Sequence, residues 1–391
     1  MRVLVATDDV IGEEMAGSAT RAWELALSLR RAGHDVRLTA APGSQPPARG
    51  GPSLNHRPSW SWADAVVAPP WSLPPRAFLA GHLLIIDGVT PLLAELDAMP
   101  PSPVVIRRRR TASARLPLVA ARADAILTAG PNQVEWWSDR IRGRFGLPYL
   151  NVPFGIPDDP PPAEVGSVPS VPPDWAMVLW WGGVWPWLDL QTLLAARARL
   201  GAAPVSVVVP TSDRPGRSAP GITADALFDM ARSHGLKPPQ VVALENWVPY
   251  PDRHLILNRA SLVAVLHHPS EEAALSFRTR ALDAVWAGVP VLLTEGGEAA
   301  RQTRENGWGG VVGPGDPKAT ASAMELLLGD REQARCRLAI SQTRENWTWS
   351  RVTKDLIAAL DTLPDVPRRS LLPAVARAAS ILWRPRTGEG T

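Results

Sequence analysis

Three charged residues stand close together, just ahead of an apolar run, in the stretch SFRTRALDAVWAGVPVLLTEGG, which begins at Ser276. Arg278 and Arg280 carry planar guanidinium groups, which donate paired hydrogen bonds to phosphate oxygens. Asp283 carries a carboxylate, which accepts hydrogen bonds from the hydroxyls of a ribose. We interpret these residues as a diphosphate and ribose site. The alternative is an exposed ion pair between Arg280 and Asp283 on one helix face, worth under about 1 kcal/mol.

Loops that follow strands of the same half of the chain supply other groups that such a ligand needs. Gly182 and Gly183 come directly after an apolar run in LWWGGVWPWLDL, where a glycine pair lets backbone N–H groups approach a phosphate. Trp247 and Val248 follow the run VVALEN, and we expect their backbone groups to hold a flat base. With the three charged residues, these four make up the predicted binding site for a nucleoside diphosphate ligand.

Residues at the ends of other strands are candidates for contacts with a second ligand, the acceptor of a group carried by the nucleoside diphosphate. Gly17, Ser18 and Arg21 lie where the loop ATDDVIGEEMAGSATR leads into a helix, whose N-terminus favours anions or hydroxyls. An ordinary helix cap by Ser18 is the alternative. His268 closes the strand in LVAVLHH, and a structural histidine is the alternative there. Asp87 ends the strand in HLLIID and either orients an acceptor or caps its own loop.

The elements that must position these residues follow a repeating pattern. Apolar runs alternate with helical patterns in the first part: MRVLVAT, HDVRLTA, ADAVVAP, HLLIIDG, SPVVIRR, ADAILTAG and LPYLNVPFG. The alternation returns in AMVLWWGG, VSVVVP, VVALENW, LVAVLHH and VPVLLTEGG. It predicts an α/β protein with parallel, doubly wound sheets, in which ligands bind beyond the carboxyl ends of the strands. We expect two Rossmann-like domains facing across a cleft, and a helix over residues 276–287.

Proline marks the boundary between the predicted domains. The segment PFGIPDDPPPAEVGSVPSVPP admits no regular element and is typical of a semi-rigid linker. We therefore predict an N-terminal domain over residues 1–155, a linker over 156–174, a C-terminal domain over 175–360 and a tail over 361–391.

Composition excludes several classes of protein. The single cysteine, Cys336, excludes an internal disulfide framework and a multi-cysteine zinc site and fits a reducing cytoplasm. A net charge of +3 on 391 residues argues against a nucleic-acid partner. The start MRVLVATDD does not fit a signal peptide, and no run of about 18 apolar residues predicts a transmembrane helix.

Several of these segments resemble one known family, the retaining GT-B glycosyltransferases of glycosyltransferase family 4. That family carries a glutamate, seven residues, a second glutamate and then A-x-G-x-P-V. The stretch ALDAVWAGVPV is similar, with Asp283 in place of the second glutamate. Leu275 occupies the position of the first glutamate, so Glu271 or Glu272 would have to replace it. The resemblance spans most of residues 1–315. Further segments resemble a bacterial branch of that family, namely GSATRAWELALSLRRAGHDV, VPFGIPDDPP, LWWGGVWPWLD and NWVPYPDR.

The resemblance implies a GT-B fold and transfer of a sugar from a nucleoside diphosphate sugar to an acceptor, with retention of anomeric configuration. Asp283 would bind the ribose. A basic pair would bind the phosphates, and Arg278 and Arg280 are the first choice for it. Arg214 and Arg217 in PTSDRPGR are the second choice.

Glu272 and Asp87 are the candidates for catalytic residues. In the front-face mechanism proposed for such enzymes, the leaving phosphate takes the acceptor proton, so no strong protein base is required. The resemblance implies no metal and no cofactor. The acceptor is either a lipid-linked glycan or a small-molecule aglycone, in cell-surface glycan or natural-product biosynthesis. Two alternatives stay open: a non-catalytic nucleotide-sugar-binding partner subunit and a GT-B nucleotide-sugar epimerase.

The tail DVPRRSLLPAVARAASILWRPRTGEGT alternates apolar residues with arginines. In the GT-B fold a terminal helix crosses back onto the first domain, which is the first interpretation. The alternative is a basic amphipathic segment on a membrane surface, to which Arg107, Arg108, Arg109 and Arg110 would add. A cytoplasmic protein with a peripheral contact at the inner membrane face would result.

Overall fold

Two parallel β-sheets, each with helices on its faces, form the protein, here a computed structural model that describes residues 1–47, 51–55, 60–141, 146–213, 221–363 and 370–383. The strands of the first sheet are β1 (Arg2–Ala6), β2 (Asp35–Thr39), β3 (Ser53–Asn55), β4 (Ala65–Ala68), β5 (Leu83–Asp87), β6 (Ala125–Thr128) and β7 (Tyr149–Asn151). They lie in the order β3-β2-β1-β4-β5-β6-β7. Its helices are α1 (Gly17–Arg31), α2 (Leu92–Asp97), α3 (Pro103–Ser113), α4 (Leu116–Arg122) and α5 (Pro131–Arg140).

The second sheet repeats this arrangement in the C-terminal half. Its strands are β8 (Ala176–Trp180), β9 (Val205–Pro210), β10 (Val241–Leu244), β11 (Leu262–Val265), β12 (Val291–Thr294) and β13 (Gly309–Val312). They lie in the order β10-β9-β8-β11-β12-β13. Its helices are α6 (Leu190–Arg199), α7 (Ala224–Ser233), α8 (Arg253–Arg259), α9 (Glu271–Leu275), α10 (Thr279–Trp286), α11 (Gly297–Asn306), α12 (Pro317–Leu328) and α13 (Asp330–Thr343). The predicted α/β class with two parallel sheets is confirmed.

The apolar composition of the strands explains why both sheets are parallel and covered on two faces. β4, β6 and β11 read AVVA, AILT and LVAV, and each of their residues is buried. Strands that are apolar on both faces must be covered by helices on both sides, which the crossover helices of a parallel sheet provide. The core of each domain therefore lies above and below its sheet, and the polar groups collect at the strand ends.

One predicted strand is wrong. The run SPVVIRR, which we expected to be a strand, begins helix α3. Ser102 caps this helix by accepting a hydrogen bond from the backbone N–H of Val105, and Pro103 occupies its first position, where a missing N–H costs nothing. The cap and the proline outweigh the β-branched valines, which are half-buried or exposed rather than inside a sheet.

The proline-rich segment between the domains lies along the C-terminal domain. Asn258 of α8 donates to the backbone carbonyls of Pro162 and Glu164, both at 2.8 Å. Trp286 of α10 donates from its indole nitrogen to the carbonyl of Asp159 at 2.9 Å. These hydrogen bonds fix an irregular segment whose prolines prevent it from joining either sheet.

The chain returns to the N-terminal domain after α13. Helices α14 (Trp349–Val352) and α15 (Lys354–Thr362) lie against α1 and β7, and α16 (Leu371–Trp383) lies against α4 and α3. The ring of Trp349 packs against Phe154 with 5.0 Å between ring centroids. A Cβ on Gly155 would sit 2.7 Å from the Trp349 ring, so this close approach requires glycine.

Candidate functional site in the cleft between the two sheets

The two sheets face each other across a cleft of about 630 Å³. Its wall is made largely of residues that follow the carboxyl ends of strands, such as Thr7 after β1 and Trp181 after β8. The structure brings most of the predicted site residues to this wall: Gly17, Ser18, Arg21, Gly182, Gly183, Trp247, Val248, Glu272, Arg278, Arg280 and Asp283. Asp87 and His268 are not among the lining residues.

Asp87 is buried in an ion pair with Arg21 rather than placed in the cleft. Arg21 Nε lies 2.8 Å from Asp87 Oδ2, and both side chains are almost wholly buried. The two terminal nitrogens of Arg21 donate to the carbonyls of Val152 and Pro153, both at 2.8 Å. This network ties α1 to the ends of β5 and β7. The polar groups of Asp87 and Arg21 are therefore used inside the N-terminal domain, and of the two only Arg21 lines the cleft. Their role on the acceptor side stays a prediction.

The N-terminus of α1 also differs from the expectation of a serine cap. Ala16 is the N-cap residue, and no side chain caps the helix. Ser18 instead donates its hydroxyl to a carboxylate oxygen of Asp9, which also lines the cleft. Gly17 faces the opposite domain, because a Cβ there would sit 3.5 Å from the hydroxyl oxygen of Thr279. This end of α1 is therefore at the domain boundary.

The histidine that lines the cleft is His267 and not its neighbour His268. Consecutive residues at the end of β11 point to opposite sides, so only one of the pair can face the cleft. The side chain of His268 is half exposed, with Nδ1 3.8 Å from Asp189 Oδ2. His267 is buried, and burial together with the charges of Arg278 and Arg280 holds its pKa well below the usual range.

Arg278 interrupts the helix that we expected over residues 276–287. Its backbone lies in the left-handed region (φ 45°), so α9 and α10 are separate helices and the side chain turns inward. Arg278 Nη1 donates to the carbonyl of Thr294, and Nη2 donates to those of Ala273 and Glu295 at 3.1 and 3.2 Å. Its Nε is buried without a hydrogen-bond partner among the described residues.

Arg280 enters the cleft beside the glycine pair. Its Nη2 donates to the carbonyl of Gly183 at 2.8 Å, whereas its Nη1 is buried without a partner in the described part of the chain. Burial lowers the pKa of Arg278 and of Arg280 to about 10, so both guanidinium groups stay charged at neutral pH. Two buried positive charges with unused N–H groups create a site for an anion.

Glu272 lies between His267 and the two arginines. Its Oε2 is 3.7 Å from His267 Nε2 and has no hydrogen-bond partner within the described ranges. Burial, and after it the charge of Glu95, raises the pKa of Glu272 to about 8, which leaves the carboxyl protonated at pH 7. A neutral Glu272 can donate one hydrogen bond and accept others, as a sugar hydroxyl requires.

Leu275, at the position of the family's first glutamate, does not line the cleft. It is 7% exposed and packs into the apolar core of the N-terminal domain. Its carbonyl accepts a hydrogen bond from Gln133 Nε2 at 2.7 Å. The C-terminal end of α9 is therefore used for domain packing, and the acidic group that reaches the cleft comes from one turn earlier, at Glu272.

Asp283 is held by two donors that the sequence analysis did not identify. Trp181 Nε1 donates to Asp283 Oδ2 at 2.9 Å, and Arg253 Nε donates to Oδ1 at 3.3 Å. The guanidinium of Arg253 lies 3.8 Å from the ring centroid of Tyr250 and 4.3 Å from that of Trp286. The alternative interpretation, an ion pair between Arg280 and Asp283, is not what the structure shows: Asp283 pairs with Arg253, and Arg280 contacts Gly183. Arg253, the arginine in PYPDR, could be recognised in the sequence as a basic residue in a loop after a strand. Its partner Asp283 could not, because it lies 30 residues away along the chain.

The glycine pair after β8 is shaped by its neighbours. Gly182 has φ +83°, and a Cβ there would sit 3.0 Å from Arg280 Nε. A Cβ on Gly183 would sit 2.5 Å from the ring of Trp185. Both positions therefore require glycine, one for backbone conformation and contact with Arg280, the other for contact with Trp185. Trp247 and Val248 also line the cleft.

Three further expectations concern the second pair of arginines, a metal ion and a transmembrane helix. Arg214 and Arg217, the second choice for the phosphates, lie outside the described residues. No group of three or more histidine, cysteine or acidic side chains in the described ranges is arranged to hold a metal ion. No helix in those ranges combines the length and the apolar content needed to cross a bilayer.

The overall structure is similar to several solved GT-B glycosyltransferases. Sucrose-phosphate synthase from Thermosynechococcus elongatus matches with a TM-score of 0.67 and 16% identity, covering 93% of this chain and 98% of the other. HepE from Anabaena in complex with UDP-glucose matches with a TM-score of 0.64 and 14% identity, over 93% and 100% of the two chains. WaaG, a glycosyltransferase involved in lipopolysaccharide biosynthesis, matches with a TM-score of 0.55 and 14% identity, over 98% and 100%.

At these identities the similarity establishes the fold alone, which is the GT-B fold. No protein-family model matches the sequence, and no curated protein matches it. The activity therefore has to be argued from the cleft.

Proposed function

We propose that this protein is a glycosyltransferase that moves a sugar from a nucleoside diphosphate sugar to an acceptor. One observation carries the proposal: buried polar atoms without a hydrogen-bond partner surround the cleft. Among the described residues that line the cleft, these atoms include Arg278 Nε, Arg280 Nη1, Glu272 Oε2 and His267 Nδ1. An unsatisfied buried polar atom costs about 1–3 kcal/mol, so a cluster of them indicates the place of a polar ligand.

The donor diphosphate would bind at the two arginines. Their unused N–H groups donate to phosphate oxygens, and their positive charges stabilise the charge that develops on the diphosphate as the bond to the sugar breaks. Backbone groups at Gly182 and Gly183 approach the same phosphates. Asp283 accepts from the ribose hydroxyls, with Arg253 and Trp181 fixing its orientation. The base lies against Trp247 and Val248.

The transferred sugar would lie between the diphosphate and the N-terminal domain, next to Glu272 and His267. The bond between sugar C1 and the phosphate oxygen breaks, and a bond between C1 and an acceptor oxygen forms on the same face, which retains the anomeric configuration. The leaving phosphate oxygen takes the acceptor proton. The protonated Glu272 binds a sugar hydroxyl in this arrangement, and the arginines replace a metal ion in neutralising the leaving group.

The acceptor would enter along the N-terminal domain. Cleft residues on that side include Leu96 and Met99 near the end of α2 and Val104 and Arg108 on α3. This mixed apolar and basic wall fits a lipid-linked glycan or a small-molecule aglycone with an anionic group. We infer a role in cell-surface glycan or natural-product biosynthesis, at a cytoplasmic location.

A panel of nucleoside diphosphate sugars tests the proposal. The purified protein is incubated with each donor, and bound donor, released nucleoside diphosphate and the anomeric form of any product are measured by calorimetry, chromatography and NMR. We expect one donor to bind and to be consumed when an acceptor is added. Failure of every donor to bind would contradict the proposal. The variant Arg280→Ala should lose donor binding, with the exposed Arg232→Ala as a control.

A non-catalytic nucleotide-sugar-binding subunit is the second candidate, and Leu275 is the observation that favours it. The carboxylate expected at this position is replaced by an apolar side chain in the core of the N-terminal domain. The same panel separates the two candidates. Donor that binds but is not consumed with any acceptor indicates the binding subunit, and donor that is isomerised without an acceptor indicates an epimerase.

A further inference from the structure

Helix α16 exposes an apolar surface that the N-terminal domain leaves uncovered. Leu372 and Trp383 are 82% and 85% exposed. The buried face is formed by Ala374 and Ala378, which pack on the core of the N-terminal domain. A helix that only needed to cover this domain would carry polar residues on its outer side, since exposed apolar patches usually mark an interaction site.

The exposed apolar residues of α16 lie together on one side of the helix. At 3.6 residues per turn, Leu372, Val375, Leu382 and Trp383 fall within about a third of the helix circumference. Arg377 falls outside this stripe. It lies on the far side of the helix, about 120° or more from every residue of the stripe. An apolar stripe with a basic residue on the opposite side and a tryptophan at the end of the helix is typical of a segment that lies in a membrane interface.

The neighbouring helices add positive charge without any compensating acidic residue of their own. The three helices that meet here contain six arginines, four in α3 and one each in α4 and α16, and no aspartate or glutamate. Arg109 pairs with Asp97 of α2, whereas Arg107 is exposed and has no carboxylate partner among the described residues. α3 also exposes Val104 and Ile106.

Helix α3 belongs both to this surface and to the cleft. Val104 is exposed, yet it lines the cleft together with Arg108 one turn later. A partner that binds to both α3 and α16 would therefore lie beside the part of the cleft where we place the acceptor. We propose that a docking face on α3 and α16 binds the surface of a bilayer rich in anionic lipids. It consists of Val104 and Arg107 of α3, which lie about 60° apart around that helix, and of Leu372, Val375, Leu382 and Trp383 of α16.

Charge complementarity favours a bilayer as the occupant. Anionic headgroups attract basic residues near the surface, and the apolar side chains enter the boundary between headgroups and acyl chains. The docking itself is independent of the proposed function. Only the further step, in which a lipid-linked acceptor reaches the cleft past α3, rests on it.

Co-sedimentation of the full chain with large unilamellar vesicles tests the docking face. We expect binding to vesicles of phosphatidylglycerol and phosphatidylcholine that falls at least tenfold on vesicles of phosphatidylcholine alone. The variant Leu372→Ser/Trp383→Ser should lose at least tenfold in binding, and Arg107→Glu should lose about fivefold or more, because one basic residue near an anionic surface contributes about that factor. The matched control is Leu326→Ser/Leu338→Ser, which changes two exposed leucines on α12 and α13 and should bind as the unaltered chain does.

Several results would overturn the proposal. These are absence of binding to anionic vesicles, equal binding to neutral vesicles, and unchanged binding by the Leu372→Ser/Trp383→Ser variant. A dimer in solution that this variant abolishes would show that a second copy covers the face. Because no nucleotide sugar is present in the assay, its outcome does not depend on whether the protein transfers a sugar. Thermal unfolding of each variant, measured in parallel, verifies that these exposed positions leave the fold intact.

Discussion

Tyr250 of the C-terminal domain donates its phenolic proton to Glu24 of helix α1, with 2.9 Å between the oxygens. Glu24 is buried, and the loss of water raises its pKa above the usual value. The ring of Tyr250 stacks against Arg253, which in turn donates to Asp283. The carboxylate that we assign to the ribose is thus held by a chain of contacts that begins in the opposite domain.

The variant Tyr250→Phe should lower the free energy of unfolding by about 1–3 kcal/mol, because a buried acceptor on Glu24 loses its donor. Urea unfolding of the two proteins measures this difference. The partner variant Glu24→Met, which has a similar size but no oxygen acceptor, and the double variant complete a double-mutant cycle. A coupling near zero would show that the hydrogen bond does not hold the domains together.

The variant Asp283→Ala should weaken nucleoside diphosphate binding by about 1–3 kcal/mol, the range for a lost charge-assisted hydrogen bond. Titration calorimetry with the diphosphate of the preferred donor measures it. Asp252→Ala is the control, since Asp252 is an exposed aspartate of the nearby 3₁₀ helix Tyr250–Asp252. Equal affinity in the two variants would remove Asp283 from the site.

The variant Gly182→Ala should reduce diphosphate affinity by about tenfold or more, because the new Cβ displaces Arg280 and the left-handed backbone is strained. The control is Gly201→Ala. Gly201 also has a positive φ, of +57°, but has open space around it. It should cost stability to a similar extent without changing affinity. If both variants bind the diphosphate equally well, the contact with Arg280 has no role in binding.

Affinity for the diphosphate should fall as the pH rises through about 8, the pKa of Glu272. Above that pH, Glu272 is an anion that repels the phosphates and competes for Arg278 and Arg280. The loss between pH 7 and 9 should be on the order of tenfold. Calorimetry across this range measures it, and Glu272→Gln, which cannot ionise, should remove the dependence. A slope that persists in Glu272→Gln would assign it to another group.

The raised pKa of Glu272 also makes the free energy of unfolding depend on pH. Because the pKa in the folded state lies above the ordinary 4.5, the contribution of Glu272 is fully present below pH 4.5. It is lost as the pH rises from there to about 8, since the unfolded chain releases the proton first. Glu272→Gln should therefore flatten part of the fall in stability over this range, as measured by urea unfolding at each pH.

The variant Leu275→Glu, which places a glutamate where the family has one, should destabilise the protein by about 3 kcal/mol or more. Its carboxylate would enter the apolar core of the N-terminal domain rather than the cleft. Urea unfolding measures the loss. Leu326→Glu, at an exposed leucine of α12, should cost no more than about 0.5 kcal/mol. A stable Leu275→Glu protein that binds the donor more tightly would place residue 275 in the site.

The sequence predicted the fold well because its signals are local. Short apolar runs rich in branched residues, such as VVVP and VLLT, favour strands of a covered parallel sheet, and the glycines after β8 mark where the backbone turns closely. The failure at SPVVIRR has a local cause too. A serine cap and a first-turn proline set the helix there, although two valines favour a strand.

The amino-acid sequence alone determined which chemical groups are available: two arginines, an aspartate and a glutamate beside strands that end at one edge. Tertiary structure decided which of their atoms are used. Asp87 accepts hydrogen bonds from Arg21, 66 positions earlier, and Asp283 accepts one from Arg253, while Arg278 and Arg280 keep unused N–H groups. Tyr250 and Glu24 meet across 226 positions. Hydrogen bonds and burial join residues by distance in space, and periodicity along the chain carries no information about that distance.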